Sequence, residues 1–210
     1  PKTEEEWQEV ERRGAAGLAG NTTTHYDFVT PEYQIFDSQQ PVKWECTRGI
    51  GRSFGFNRTE CGSDYLNGAQ IIDMLVRIVS RGGNLLLNIG PRADGTIPYE
   101  QAKPLMETGE WLSVNGEAIY GTRPHSTLEY KDADGCSVCM TKTRDALYAI
   151  ALRPDMPASY EVKGLMLEEN AHVELLGAGE VQWFAEEDCT VFNLPENLPK
   201  QAAYTLKIHR

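Results

Sequence analysis

Residues 70–90 constrain the fold of this chain more than any other stretch. The segment QIIDMLVRIVSRGG sets Ile71, Ile72, Leu75, Ile78 and Val79 at spacings of three and four, the pattern of a helix with an apolar face. Gly82 supplies a stop just past its end. NLLLNIG follows at residues 84–90. An apolar run without alternation predicts a strand buried on both faces, as in a parallel sheet. Residues 91–98 hold an Asp94-Gly95 turn, and residues 99–114 read as a second helix with Leu105, Trp111 and Leu112 toward the core. Helix, buried strand, loop, helix is the order found in α/β barrels and doubly wound sheets.

The pattern changes near residue 123. Runs of strand length follow at 136–142, 146–152, 160–165, 171–176, 189–194 and 202–208. Turn signals separate them at Asp134-Gly135, at Arg144-Asp145 and at residues 154–157, 177–179 and 195–199. Several short strands at this spacing predict an antiparallel β-sandwich. The expected fold class is therefore α/β plus all-β, with one unit over residues 1–123 and a second over 124–210. Upstream, residues 4–13 read as a short helix with an acidic first turn, and residues 14–35 as loop without a period.

Charge narrows the partners. The 210 residues carry 20 Lys+Arg against 31 Asp+Glu, a net −11. A basic face for nucleic acid or anionic membrane is not evident, and a neutral substrate fits this balance better. No window approaches the roughly 20 apolar residues of a membrane span, and no basic start leads into an apolar stretch. The five cysteines (46, 61, 136, 139 and 189) have no framework spacing. Cys136-Ser-Val-Cys139 falls in an expected strand, where positions three apart face opposite sides, and it lacks a second ligand pair. It is read as small buried residues and free thiols, so no metal is expected. Asn21-Thr-Thr and Asn57-Arg-Thr have the form of glycosylation sequons.

No phosphate-binding loop, nucleophile elbow or HExxH helix is present. The four histidines (25, 125, 172 and 209) are scattered and read as structural or surface groups. Chemistry-bearing residues concentrate instead between Asp27 and Glu60: Asp27, Phe28, Glu32, Tyr33, Trp44, Glu45, Arg48, Phe54 and Phe56, at positions that look like loop. Sugar C–H faces stack on rings, and carboxylates act as acid, base or nucleophile at an anomeric carbon. The same composition also suits an ordinary loop laid against a core.

Three motifs go further. DFVTPEY at 27–33 with WECTRGIGRSFGFN at 44–57, SRGGNLLLNIGPRADGTIP at 80–98, and GEWLSVNGEAIYGTRP at 109–124 together resemble glycoside hydrolase family 29, the α-L-fucosidases. The likeness is specific over about residues 25–124, while 125–210 resembles the family's C-terminal sandwich in kind rather than in detail. It implies the C-terminal part of a (β/α)8-like barrel followed by a β-sandwich, and an exo-acting retaining hydrolase of terminal α-L-fucose. In that chemistry one carboxylate is the nucleophile and a second is the acid/base, its pKa raised by the first; no cofactor is needed.

By this resemblance Glu32, in the T-P-E-Y motif, is the acid/base, and Glu45 is the alternative acid/base or a carboxylate behind it. Tyr33 and Phe54 match aromatics around the C5 methyl of fucose. Trp44 either lines the pocket or packs beneath it. Asn88, near a strand end, either touches substrate or ties down a loop. The implied partner is a fucosylated oligosaccharide or glycoconjugate.

The chain also departs from the family. The Trp-x-Asp-Gly motif of the nucleophile does not occur in these 210 residues, nor do the upstream histidines that hold the fucose hydroxyls. An Arg expected before T-P-E-Y has only Arg12 and Arg13 as weak counterparts. About three of the eight barrel strands are accounted for. The isolated chain is therefore expected to be inactive without an upstream catalytic segment. The alternative is a carbohydrate-binding or structural fragment without catalysis. Trp183 is the one candidate for a sugar platform in 125–210, with core packing as its other reading.

Overall fold

The structure, a computed structural model, describes residues 27–210. The helix expected at 4–13, His25, the Asn21 sequon, Arg12 and Arg13 lie outside the described residues.

The α/β part is built on parallel strands. β1 (Trp44–Gly49) pairs in parallel with β2 (Gly83–Asn88), register Trp44↔Gly83 to Gly49↔Asn88. On the other side of β1, residues 29–33 run parallel to it. Val29 N–H donates to Lys43 O, Glu45 N–H to Val29 O, Thr47 N–H to Pro31 O and Tyr33 N–H to Thr47 O, at 2.9–3.1 Å. Two corrections follow. Residues 29–33, expected as loop, are a third strand-like segment. Trp44, Glu45 and Arg48, expected at loop positions, lie on β1. The sequence between them, IFDSQQPV, breaks the periodicity and hides both edges of the pairing.

Helix α1 (Gly68–Ser80) begins at Asn67, whose side chain caps Gln70 N–H while the Gln70 side chain returns the bond. Its expected single apolar face is a correction as well. Met74 and Ile78 pack with Trp44 and Cys46 under the parallel strands. Ile72 and Val76 pack with Cys139, Tyr148 and Ile150 of the antiparallel sheet. The helix is thus wedged between two sheets and apolar on most of its surface. Helix α2 (Tyr99–Asn115) lies beside it, and Trp111 Nε1 donates to Ala203 O at 2.8 Å.

β2 also differs from expectation. Leu85 and Leu87 pack on the helix side, but Leu86 on the opposite face is 51% exposed. Among the described residues only one face of the parallel strands is covered.

From Arg123 onward the chain forms nine antiparallel strands: β3 (Arg123–Asp132), β4 (Ser137–Lys142), β5 (Ala146–Ala151), β6 (Ser159–Lys163), β7 (Val173–Leu175), β8 (Gly179–Glu180), β9 (Gln182–Ala185), β10 (Cys189–Asn193) and β11 (Tyr204–His209). Their order is β8-β7-β11-β5-β4-β3-β6-β10-β9. The two edges, β8 and β9, are separated in sequence only by Val181, and one residue spans at most about 3.5 Å. The sheet therefore curls until its edges meet. Inside it lie Met140, Ala149, Tyr160, Val162, Phe192, Leu206 and Ile208, each under 5% exposed.

The expected sandwich of two separate sheets is corrected in this respect: the pairing is continuous. The join is made by the long β3, irregular between Pro124 and Glu129, whose end pairs with β6 through Lys131↔Lys163 and Asp132↔Val162. Buried Asp132 holds that corner, accepting from Asp134 N–H, Cys136 N–H and Arg153 Nη1 at 2.8–3.0 Å. No helix among the described residues is long and apolar enough to cross a membrane.

Candidate active site at the ends of the parallel strands

Strand alternation sorts the candidates before any side-chain contact is considered. On β1, Trp44 and Cys46 face the helix layer, so Glu45 and Thr47 face the other way. Glu32 is bridged in parallel to Thr47 and shares that uncovered face. By ladder geometry the Cα atoms of Glu32 and Glu45 stand about 8 Å apart, with Glu45 one pleat nearer the start of the strands. Glu32 sits at the C-terminal end, where sheets of this type place their reactive groups. Its side chain is exposed and Glu45 is half-buried.

Around Glu32 the chain is held in detail. Tyr33 adopts a left-handed backbone, φ 55°, uncommon for a bulky residue and a local cost that its contacts must offset. Its hydroxyl accepts from Gly49 N–H at 3.1 Å. Its ring meets Phe54 edge-on at 5.6 Å, and the Arg48 guanidinium lies 4.9 Å from its centre. Asn88, at the end of β2, donates through Nδ2 to Phe54 O and to Ile89 O, and its carbonyl accepts from Ile50 N–H at 2.8 Å. Asn88 thus clips the loop after β1 to the end of β2. Gly90 permits the approach: a Cβ there would lie 2.5 Å from Phe56 N.

The structure therefore brings Glu32, Tyr33, Phe54 and Asn88 to one end of the parallel strands, with Glu45 below them. Trp44 is not among them. It is 1% exposed, meets Phe36 edge-on at 5.0 Å and donates through Nε1 to Arg81 O. Of the two places open to Trp44, it takes the one beneath the sheet.

Phe56, one of the chemistry-bearing residues between Asp27 and Glu60 but without a role implied by the resemblance, stands at the same rim, half-buried, with the Arg92 guanidinium 5.7 Å from its ring. The Ser-Phe-Gly-Phe sequence at 53–56 and the Gly90 contact are the signals that mark it. Asn57, the described sequon residue, spends its amide inside the loop. Its Oδ1 accepts from Thr59 N–H and Oγ1, and its Nδ2 donates to Ser53 Oγ. The five cysteines are free; Cys139 is buried with the helix-side cluster, whereas its neighbours Val138 and Met140 face the sheet interior. Trp183 packs on the sheet interior and donates to Ala171 O at 2.8 Å, so it offers no open platform.

Comparison with known proteins shows the family. The family model described as Alpha-L-fucosidase matches residues 8–117. Human tissue alpha-L-fucosidase is 35% identical over 173 residues, covering 79% of this chain and 37% of the human protein. Alpha-L-fucosidase of Dictyostelium discoideum is 47% identical over 85 residues, 40% of this chain and 18% of that protein. Thermotoga maritima alpha-fucosidase, solved with a mechanism-based inhibitor, superposes with a TM-score of 0.83 at 34% identity, over 90% of this chain and 44% of that one. The chain thus spans well under half the length of these relatives.

Proposed function

Because this chain belongs to the α-L-fucosidase family, we propose that it forms the later part of a retaining exo-α-L-fucosidase: the last strands of a (β/α)8-like catalytic barrel over residues 1–123 and an all-β unit over 124–210. The Thermotoga enzyme has been solved in complex with fucose, which supports a fucosylated glycan as the substrate class.

In this reading Glu32 protonates the glycosidic oxygen as the anomeric carbon is attacked, then removes a proton from the water that releases the sugar. The nucleophilic carboxylate lies on a segment outside these 210 residues, because they hold no counterpart of its motif. Glu45, one pleat lower on the same face, is the alternative acid/base or a second carboxylate that orients the first. Tyr33 and Phe54 offer ring faces to the C5 methyl. A hydroxyl there would be buried without a partner, which selects the 6-deoxy sugar. Asn88 acts by holding the Phe54 loop.

The observation that carries this reading is the convergence of Glu32, Tyr33, Phe54 and Asn88 at the C-terminal ends of three parallel segments. The test is release of nitrophenol from an aryl α-L-fucoside. The 210 residues alone should release none, and the enzyme in which they are joined to their upstream strands should turn over. Full activity of the 210 residues alone would contradict the proposed division of the site.

A further inference from the structure

We propose that His172, Glu174 and His209 form a binding site for a divalent transition-metal ion of the zinc class, far in sequence from the fucose-site candidates. Glu174 lies on β7, His209 at the end of β11, and His172 just ahead of β7. Alternation explains why they meet. Val173, Leu175, Leu206 and Ile208 point into the sheet interior, so Glu174, Lys207 and His209 point outward. His209 N–H donates to His172 O, which places the two imidazoles side by side.

The ligand atoms are already close. His209 Nε2 lies 2.9 Å from Glu174 Oε1, and His172 Nδ1 lies 3.8 Å from the same oxygen. One donor atom from each residue falls within 4.8 Å of the others. Zinc bonds of about 2.0–2.2 Å in a tetrahedron need ligand separations of about 3.3 Å, so a small rotamer change closes the set around an ion. Two imidazoles and one carboxylate are the nitrogen and oxygen donors such ions favour, and water completes the fourth position.

The surroundings fit. When Nδ1 of His172 faces the metal, its Nε2 points toward Glu180 Oε1, 3.8 Å away, the carboxylate–histidine arrangement that orients a metal-bound ring. The nearby cation, Lys207, is engaged by Glu117 at 2.7 Å. The position also has a physical use. β7 pairs with β11 over three residues and with β8 over two, a thinly paired edge of the sheet. An ion held by both β7 and β11 would staple that edge, and binding to the folded state alone raises stability by mass action.

The experiment titrates Zn2+ alone into the purified full chain, by calorimetry and by thermal unfolding, and then Co2+ as a spectroscopic substitute. One Zn2+ is expected per chain, with a rise in Tm. Co2+ should give a tetrahedral spectrum without a thiolate charge-transfer band, and Mg2+ should give neither effect. His172→Asn combined with His209→Gln should weaken Zn2+ binding at least tenfold. Circular dichroism checks that the double variant keeps its fold. Glu174→Gln, which leaves both imidazoles in place, serves as a second variant if it does not. Zn2+ binding unchanged in these variants, a thiolate band in the Co2+ spectrum, or no binding by the parent chain would each overturn the proposal.

Discussion

Glu32 and Glu45 differ by one pleat on adjoining strands, and the proposed assignment of acid/base to Glu32 rests on that small offset. Glu32 is at the strand end, where a leaving group can reach it, and Glu45 is lower on the same face. Around them, residues act through placement. Asn88→Ala removes the clip on the Phe54 carbonyl. In the active enzyme this should raise KM several-fold and cost about 1 kcal/mol of stability, checked by steady-state kinetics and denaturant unfolding. A change in kcat alone would argue against a positioning role. Gly83 shows how tightly the other end is packed. A Cβ there would lie 2.4 Å from the Trp44 indole, so Gly83→Ala should cost about 1–3 kcal/mol in thermal unfolding. At this scale the sequence exposed the chemistry but not the geometry. The motif pointed to Glu32, but the burial of Trp44 became visible only once β1 had a direction, because a tryptophan beside a glutamate looks the same on either face.

At the scale of elements, α1 joins the two halves. One side carries Met74 and Ile78 against the parallel strands, the other Ile72 and Val76 against the curled sheet. Its polar edge is tied down too. Arg81 Nη2 meets Glu129 of β3 at 2.8 Å, and Arg77 lies 3.6 Å from the same carboxylate. Burial alone would raise the Glu129 pKa, but hydrogen bonds from Lys131, Ser137 and Arg81 outweigh it and hold the group at about 2. In the unfolded chain a glutamate titrates near 4.3. The folded state therefore binds fewer protons between these values. The stabilisation is complete above about 4.5 and is lost as pH falls toward 2. It should amount to about 1–2 kcal/mol after allowance for partial exposure, and Glu129→Gln should flatten that part of the stability–pH curve. At the start of the same helix, Asn67→Ala should cost about 1 kcal/mol through loss of the cap. Helix α1 and six strands of the curled sheet were legible in the sequence because their periods are clean. β3, with its polar sequence RPHSTLEYKD, and the short β8 and β9 were not. Their pairing partners, rather than their own composition, make them strands.

At the scale of the whole molecule, the described residues are unevenly closed. The curled sheet meets its own edges at Val181, whereas among the described residues the parallel strands leave one face open, with Leu86 51% exposed. Hydrogen exchange should accordingly be slowest in β4, β5 and β11, at the centre of the nine strands, and faster in β1 and β2; equal protection would contradict this ordering. That one-sided cover was foreshadowed by the count of about three barrel strands in the sequence. The continuity of the nine-stranded sheet was not, because it depends on two residue pairs between β3 and β6 that leave no local pattern. The role given to Glu32 is tested most directly by Glu32→Ala in the enzyme that joins this chain to its upstream strands. Azide would be supplied as a nucleophile that needs no base. Turnover of a natural fucoside should fall by at least a hundredfold, with a smaller loss in the first step for an activated aryl fucoside. Azide should restore turnover of the aryl substrate and yield α-fucosyl azide. Mild, equal losses on both substrates without an azide product, together with this whole pattern in Glu45→Ala, would place the acid/base on Glu45 instead.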